Sequence, residues 1–377
     1  MPKIRVLIVD DAVLVRSRVS KVLSSDPDLE VVGVAANGRI ALAKIPQVNP
    51  DAIVLDVEMP QMNGLETLAA IRQTYPLLPV IMFSTFTRTG ATATLEALSL
   101  GANDYATKPS NLGSLEAVNQ HIREELIPKI KLFGSQRAEG QGDKEARGQG
   151  DKGTRRQGDK GTRGQGEQLQ STIQNPKSKI DSLTTGRVDI VAIGVSTGGP
   201  NALAALLSEF PAEFPVPIAI VQHMPPMFTK LLAERLTSKC QIRVDEAFAG
   251  AILEPGRAWI APGNFHAIVE QDGKVVRIDI NQEPPENSCR PSVDVLFRSV
   301  AEVYGAKVLA VVLTGMGQDG LRGCEYIREV GGQILVQDRA SSVVWGMPSF
   351  VANAGLADRV VSLDKMAGEI ISRVRKN

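Results

Sequence analysis

Apolar residues in the first 130 positions fall into two alternating patterns. Short runs rich in β-branched or apolar side chains occur at Ile4–Val9, Leu29–Ala35, Ala52–Leu55, Val80–Phe83 and Asp104–Thr107. Between them, apolar positions recur at helical spacing over Ala12–Leu23, Gly38–Val48, Gly64–Thr74 and Thr89–Leu100. Five strand–helix units predict a doubly wound, five-stranded parallel sheet with its ligand site at the carboxyl ends of the strands. The same alternation resumes after Arg187. Strands are expected at Asp189–Val195, Ile218–Gln222, Ala258–Ile260, Lys307–Leu313 and Gln333–Val336. Helices are expected at Asn201–Glu209, Phe228–Leu236, Val293–Val303, Gly320–Glu329 and Asp364–Arg375. The turn-rich stretch Val244–Ile280 reads as a hairpin flap beside the main sheet. The second block is therefore expected to be a three-layer α/β domain with a mostly parallel sheet.

Between the blocks the pattern vanishes. Large apolar residues become sparse from about Gly134 to Thr185, and an eight-residue repeat beginning Gly-Asp-Lys starts at Gly142, Gly150 and Gly158. With little to bury, such a segment is expected to be a disordered, solvated tether rather than a solenoid. As a flexible coil of about 50 residues it would span on the order of 40 Å. The resulting division is 1–130, 131–185 and 186–377. Basic and acidic residues balance at 42 each, so whole-chain charge gives no reason to expect a nucleic-acid partner. No helix-turn-helix with a basic face follows the tether either. No apolar stretch approaches the roughly 18 residues of a membrane span, and the amino terminus does not read as a signal peptide. Cys240, Cys289 and Cys324 lack metal-ligand spacing, as expected of reduced thiols in a cytoplasmic protein.

Charge chemistry gathers at the strand ends of the first block. Asp10 and Asp11 follow the first predicted strand and Asp56 the third, which collects three carboxylates at one rim. Such crowding requires a neutralising cation, and hard oxygen ligands suit Mg²⁺. Ser84 and Lys108 follow the fourth and fifth strands. A nucleophilic carboxylate, a cation, a hydroxyl and a lysine make a phosphoryl-transfer site. These residues, with Leu55-Asp56-Val57-Glu58-Met59-Pro60 and Thr107-Lys108-Pro109, resemble the receiver domain of two-component response regulators, a flavodoxin-like fold. The resemblance implies that Asp56 accepts the phosphoryl group and that Asp10, Asp11 and Asp56 hold Mg²⁺. It also implies that Ser84 and Lys108 sense the modification. Tyr105 matches the family's rotameric switch, and reads equally well as a partly buried strand aromatic.

The second block offers a nucleophile. Ser196 lies in Gly194-Val195-Ser196-Thr197-Gly198-Gly199-Pro200 after a strand, and His223 ends another. A serine hydroxyl needs a base to take its proton, and the base needs an orienting acid. Asp319, Asp294 and Asp338 compete for that last role on spacing alone. Ser196 also reads as a simple helix cap. His121 and His266 read as structural or exposed. The glycine loop lacks the G-x-G-x-x-G spacing and the Lys-Ser/Thr of nucleotide-binding loops, and is set apart from the nucleophile elbow of α/β-hydrolases. Backbone N–H groups near Gly198 and Met316 are natural donors to an oxyanion.

Five stretches together resemble the catalytic domain of the chemotaxis protein-glutamate methylesterase family: Gly194–Pro200, Gln222-His223-Met224-Pro225, Ala261-Pro262-Gly263, Arg290-Pro291-Ser292-Val293-Asp294 and Leu313–Gly320. The resemblance implies Ser196 as nucleophile, His223 as base and Asp319 as acid, with Thr197 and Met316 as oxyanion donors. It implies hydrolysis of glutamate methyl esters, and deamidation of glutamines, on methyl-accepting chemoreceptors. No metal is expected in that step. A chemotaxis histidine kinase is the implied phosphodonor, and the receiver is expected to cover the active site until Asp56 is phosphorylated.

Overall fold

The computed structural model describes residues 2–109, 114–135 and 186–375. The octapeptide repeat, and the expected linker apart from its first five residues, lie outside these.

In the first block, β1 (Ile4–Val9), β2 (Leu29–Ala35), β3 (Ala52–Asp56), β4 (Val80–Ser84) and β5 (Asp104–Thr107) form one sheet in the order β2-β1-β3-β4-β5. Every pairing is parallel. The connecting helices are α1 (Val13–Leu23), α2 (Gly38–Val48), α3 (Gly64–Thr74), α4 (Arg88–Ser99) and α5 (Leu115–Glu125). Local sequence sets their starts: Asn37, Thr87 and Ser114 cap α2, α4 and α5 through their side chains. Asn63 and Glu66 form a reciprocal capping box on α3. The cap at Thr87 starts α4 one residue earlier than expected. β3 and β4 each run one residue further than expected, so Asp56 and Ser84 end strands rather than follow them. A further helix, α6, covers residues 127–135 and was not anticipated. It buries Ile127, Ile130 and Phe133 against the sheet's core, and the expected boundary at 130 lies inside it.

The second block is built on seven parallel strands in the order β15-β14-β13-β6-β7-β10-β8. They are β6 (Ile190–Val195), β7 (Ile218–Gln222), β8 (Arg243–Glu246), β10 (Arg257–Ile260), β13 (Val308–Val312), β14 (Gln333–Gln337) and β15 (Arg359–Val361). A separate antiparallel sheet joins β9 (Ala251–Ile252), β11 (His266–Asp272) and β12 (Val275–Asn281). The expected flap thus exists as the β11–β12 hairpin. β8 and β10, from the same stretch of sequence, belong to the main sheet instead. Helices α7 (Gly199–Ser208), α8 (Phe228–Lys239), α9 (Val293–Tyr304), α10 (Leu321–Glu329), α11 (Met347–Asn353) and α12 (Leu363–Arg375) cover its faces. β6, β7, β13 and β14 are buried throughout, as strands covered on both faces must be.

The blocks touch through α4, whose apolar face meets α7 and α8. Asn201 donates from Nδ2 to the Leu98 carbonyl at 2.8 Å, and Arg235 donates to the Ser99 hydroxyl. No helix among the described residues is long and apolar enough to cross a membrane.

Candidate functional site

Ser196 and His223 sit just beyond the carboxyl ends of the adjacent strands β6 and β7, and both line one cavity of about 710 Å³. The serine's backbone is fixed on three sides. Its N–H donates to the Thr314 carbonyl at 3.0 Å, and its carbonyl accepts from the Gly199 N–H at 2.8 Å and from Gln222 Nε2 at 3.0 Å. The turn requires glycine twice: Gly198 has φ 79°, and a Cβ on Gly199 would stand 1.9 Å from Gln222 Oε1. The segment Gly194-Val195-Ser196-Thr197-Gly198 does carry the Gly-x-Ser-x-Gly spacing, which corrects the sequence reading. Its backbone still departs from a nucleophile elbow, because the positive φ falls on Gly198 and not on the serine.

Asp319 receives the imidazole. His223 Nε2 lies 2.8 Å from Asp319 Oδ2, so Nε2 carries a proton and, in the neutral ring, Nδ1 keeps its lone pair. Asp319 is 2 % exposed and fully engaged. Oδ2 also accepts from the Val293 N–H at 2.7 Å. Oδ1 accepts from Ser292 Oγ at 2.8 Å, Asn287 Nδ2 at 3.0 Å and the N–H groups of Asp294 and Gly320 at 3.1 Å. Burial alone would raise its pKa, but His223 and these donors outweigh burial and hold it at about 2. The charged carboxylate acts back on the ring. Burial favours neutral imidazole, while the bond to Asp319 and the neighbouring Cys289 sulfur raise His223 above its ordinary value.

The rival acids lie elsewhere in the network. Asp294 accepts from Gly320 N–H, Gly323 N–H and Asn287 Nδ2, and has no bond to His223. Burial, with the charge on Asp319 beside it, lifts its pKa to about 6. Asp338 binds the backbone and hydroxyl of Ser341. His121 contacts the Thr107 carbonyl, and His266 is buried between the Pro284 carbonyl and the Ser292 N–H. Two contributors went unnoticed in the sequence. Asn287 bridges both aspartates from a left-handed position, φ 51°, and Cys289 Sγ faces His223 Nδ1 at 3.7 Å. No motif marks either one. The amides of Thr197 and Met316 make no hydrogen bond within the described residues, and both residues line the cavity.

The first block forms part of the same cavity's wall, through Tyr105, Glu124, Glu125, Pro128 and Lys129. Tyr105 is 8 % exposed, and its ring stacks on Phe228 with centroids 5.0 Å apart and planes 7° from parallel. Asp104, from β5, accepts from Thr197 Oγ1 at 3.3 Å, immediately beside Ser196. Lys129 pairs with Asp104 at 3.3 Å and donates to the Tyr105 carbonyl at 2.5 Å. Strand β5 thus touches the candidate nucleophile loop directly.

At the rim of the first sheet, Lys108 Nζ lies 2.7 Å from both Asp10 Oδ2 and Asp56 Oδ2. Burial raises Asp56 to about 6; Lys108 opposes this and Asp10 adds to it. Burial lowers Lys108, yet the two carboxylates more than compensate and leave it raised. Ser84 is buried, and its carbonyl accepts from the Lys108 N–H at 2.7 Å. Asp10, Asp11 and Asp56 each offer an oxygen within 4.8 Å of the others. That all-oxygen donor set fits a hard divalent cation such as Mg²⁺, and apart from the Lys108 ion pair no hydrogen bond from the described residues reaches Asp10 Oδ2.

Comparison with known proteins agrees with both halves. The sequence profile described as CheB methylesterase matches residues 191–370, and that of the response regulator receiver domain matches residues 6–120. A protein-glutamate methylesterase/protein-glutamine glutaminase from Trichodesmium erythraeum is 58% identical over 374 residues, covering 99% of this chain and 100% of that protein. The chain belongs to this family. A methylesterase/glutaminase of the same name from a Nocardioides species is 47% identical over 376 residues, covering 100% of this chain and 97% of its own. Among solved structures, the CheB methylesterase catalytic domain of Thermotoga maritima is 41% identical, covering 50% of this chain and 99% of its own, with a TM-score of 0.49.

Proposed function

We propose that this chain hydrolyses glutamate methyl esters, and deamidates glutamines, on methyl-accepting chemoreceptors, and that phosphorylation of Asp56 controls it. The observation that carries the reading is the Asp319–His223 bond of 2.8 Å at the cavity that Ser196 lines, with the receiver domain forming part of the cavity wall.

In this reading Ser196 Oγ attacks the side-chain carbonyl while His223 Nδ1 takes its proton. Asp319 holds the Nε2–H tautomer and stabilises the imidazolium that forms. The free amides of Thr197 and Met316 receive the oxyanion; losing one such donor typically costs about 3 kcal/mol of barrier. His223 then protonates the departing methoxide or amine, releasing methanol or ammonia. Water, deprotonated by the same imidazole, cleaves the acyl-enzyme and restores Ser196. This chain's residues supply every proton transfer, and no metal takes part in the step as written.

Control starts at the other rim. Asp10, Asp11 and Asp56 would hold Mg²⁺, which offsets charge on the phosphoryl group during transfer to Asp56. A chemotaxis histidine kinase is the proposed donor. Lys108, now shared between Asp10 and Asp56, would pair with the new phosphoryl oxygens, and Ser84 would donate to them. Because the Lys108 N–H is bonded to the Ser84 carbonyl, a shift at either residue is felt in β5, which carries Asp104 and Tyr105. These two contact Thr197 and Phe228, so their displacement would open the cavity. We propose the cytoplasm as the place where it works.

The test is methanol release from methylated receptor. Wild type should accelerate with phosphodonor; Asp56→Asn should keep only the basal rate; Ser196→Ala should release none. Methanol release by the Ser196→Ala chain at the wild-type rate would remove the serine from the mechanism.

A further inference from the structure

In the neutral ring, His223 commits one nitrogen to a carboxylate and turns the other toward a thiol. Nε2 donates to the buried carboxylate of Asp319, which leaves the Nδ1 lone pair directed at Cys289 Sγ, 3.7 Å away. Histidines that ligate metals are commonly held this way, with the far N–H on a carboxylate and the near nitrogen on the ion. The spacing fits as well. With Zn–S near 2.3 Å and Zn–N near 2.0–2.1 Å, two ligands at a tetrahedral angle stand about 3.6 Å apart. His223, Cys289 and Asp319 each present a ligand-type atom within 4.8 Å of the others.

We propose that His223 and Cys289 form a binding site for a thiophilic divalent cation of the zinc class, which switches the hydrolase off by occupying the imidazole nitrogen that catalysis needs. Nitrogen and sulfur donors select such ions over Mg²⁺, which goes to the all-oxygen rim of the receiver. Only two protein atoms bind directly, and Asp319 orients the ring from behind. The other coordination positions face a cavity of about 710 Å³, where water supplies them. Closed structural zinc sites have four protein ligands, so this one exchanges its ion with solution. Binding converts the Cys289 thiol to a metal thiolate and releases one proton to solvent. The binding claim stands on the geometry alone. The inhibitory consequence rests on His223 acting as the base for Ser196.

Two readouts separate these claims. The full-length chain, stripped of metal by chelator, is titrated with Co²⁺ in excess Mg²⁺ and followed by absorbance. A thiolate-to-cobalt charge-transfer band should appear, vanish in Cys289→Ser and persist in Cys240→Ser. His223→Gln should weaken the Co²⁺ affinity at least tenfold. No band, or one that survives Cys289→Ser, overturns the site. In the second arm, Zn²⁺ should inhibit methanol release reversibly, with chelator restoring the rate. Cys289→Ser should need at least tenfold more Zn²⁺ for the same fractional inhibition of its own metal-free rate. Saturated binding with unimpaired methanol release would leave the site standing, overturn the inhibition and count against His223 as base.

Discussion

Replacing Tyr105 by alanine should unlock the resting enzyme. The ring lies flat on Phe228 at 5.0 Å and is almost fully buried between the two domains. A stacked aromatic pair contributes about 0.5–1.5 kcal/mol beyond its buried area. Truncating a wholly buried aromatic to alanine costs about 3–5 kcal/mol in total. Tyr105 also packs within its own domain, so we assign about half of that total to the contact with Phe228. The closed arrangement should therefore lose about 2 kcal/mol, which at about 1.4 kcal/mol per decade is roughly a 30-fold shift toward the open state. The assay is methanol release without phosphodonor. Tyr105→Ala should raise this basal rate by roughly 30-fold, or to the phosphorylated rate if that ceiling comes first. Tyr105→Phe keeps the stacked ring and should stay near the wild-type basal rate. Asn201→Ala, which removes the 2.8 Å bond to Leu98 from the catalytic side, should move the rate in the same direction by a smaller factor. A Tyr105→Ala chain that melts normally yet keeps the wild-type basal rate would refute the block as drawn.

Four further outcomes follow. Asp319→Asn should lower kcat by on the order of 10³–10⁴-fold, and should shift the acid limb of the kcat profile to lower pH, because the carboxylate that raises His223 is gone; an unmoved limb contradicts the pairing. Asp56, raised to about 6, binds a proton more tightly folded than unfolded, so its contribution to stability falls as pH rises from about 4 to 6 and the penalty is complete above that. Asp56→Asn should thus stabilise the protein at pH 7 by up to about 3 kcal/mol in denaturant unfolding, with the difference shrinking toward pH 4. Mg²⁺ should raise the melting temperature of wild type more than that of Asp56→Asn. Gly199→Ala drives a methyl group into Gln222 Oε1 and should destabilise by about 1–3 kcal/mol, read as a lower urea midpoint; an unchanged midpoint would show that Gln222 can move aside.

The sheets were legible because parallel strands buried on both faces must be nearly continuous apolar runs, as Ile190–Val195 and Val80–Phe83 are. Strand ends were less so. Asp56 and Ser84 pair in the sheet although their side chains are polar, so an apolar run stops one residue short of them. Arg243–Glu246 and Arg359–Val361 lie at the sheet's two edges, where charged side chains face water and blur the pattern that central strands show. Helix α6 was hidden by its place at the border of the low-complexity stretch, though Ile127, Ile130 and Phe133 do carry its spacing. For the candidate site, spacing brought Ser196 and His223 to one rim but left three aspartates in contention. The choice among them depends on where α9 sets its amino terminus relative to Asp319, a tertiary fact that periodicity does not encode. Asn287 and Cys289 belong to a tight turn closed by the Glu286–Cys289 bridge, outside any strand or helix, and their roles exist only where that turn meets the imidazole.

The central claim is that a hydroxyl on Ser196, freed by phosphorylation at a distant rim, does the chemistry. The most direct measurement is single-turnover methanol release from methylated receptor, with and without a small-molecule phosphodonor in Mg²⁺, on wild type, Ser196→Ala and Asp56→Asn. The account predicts a rate increase with donor in wild type alone, a basal rate in Asp56→Asn that the donor does not change, and no release from Ser196→Ala. Donor-stimulated release from either variant would contradict it.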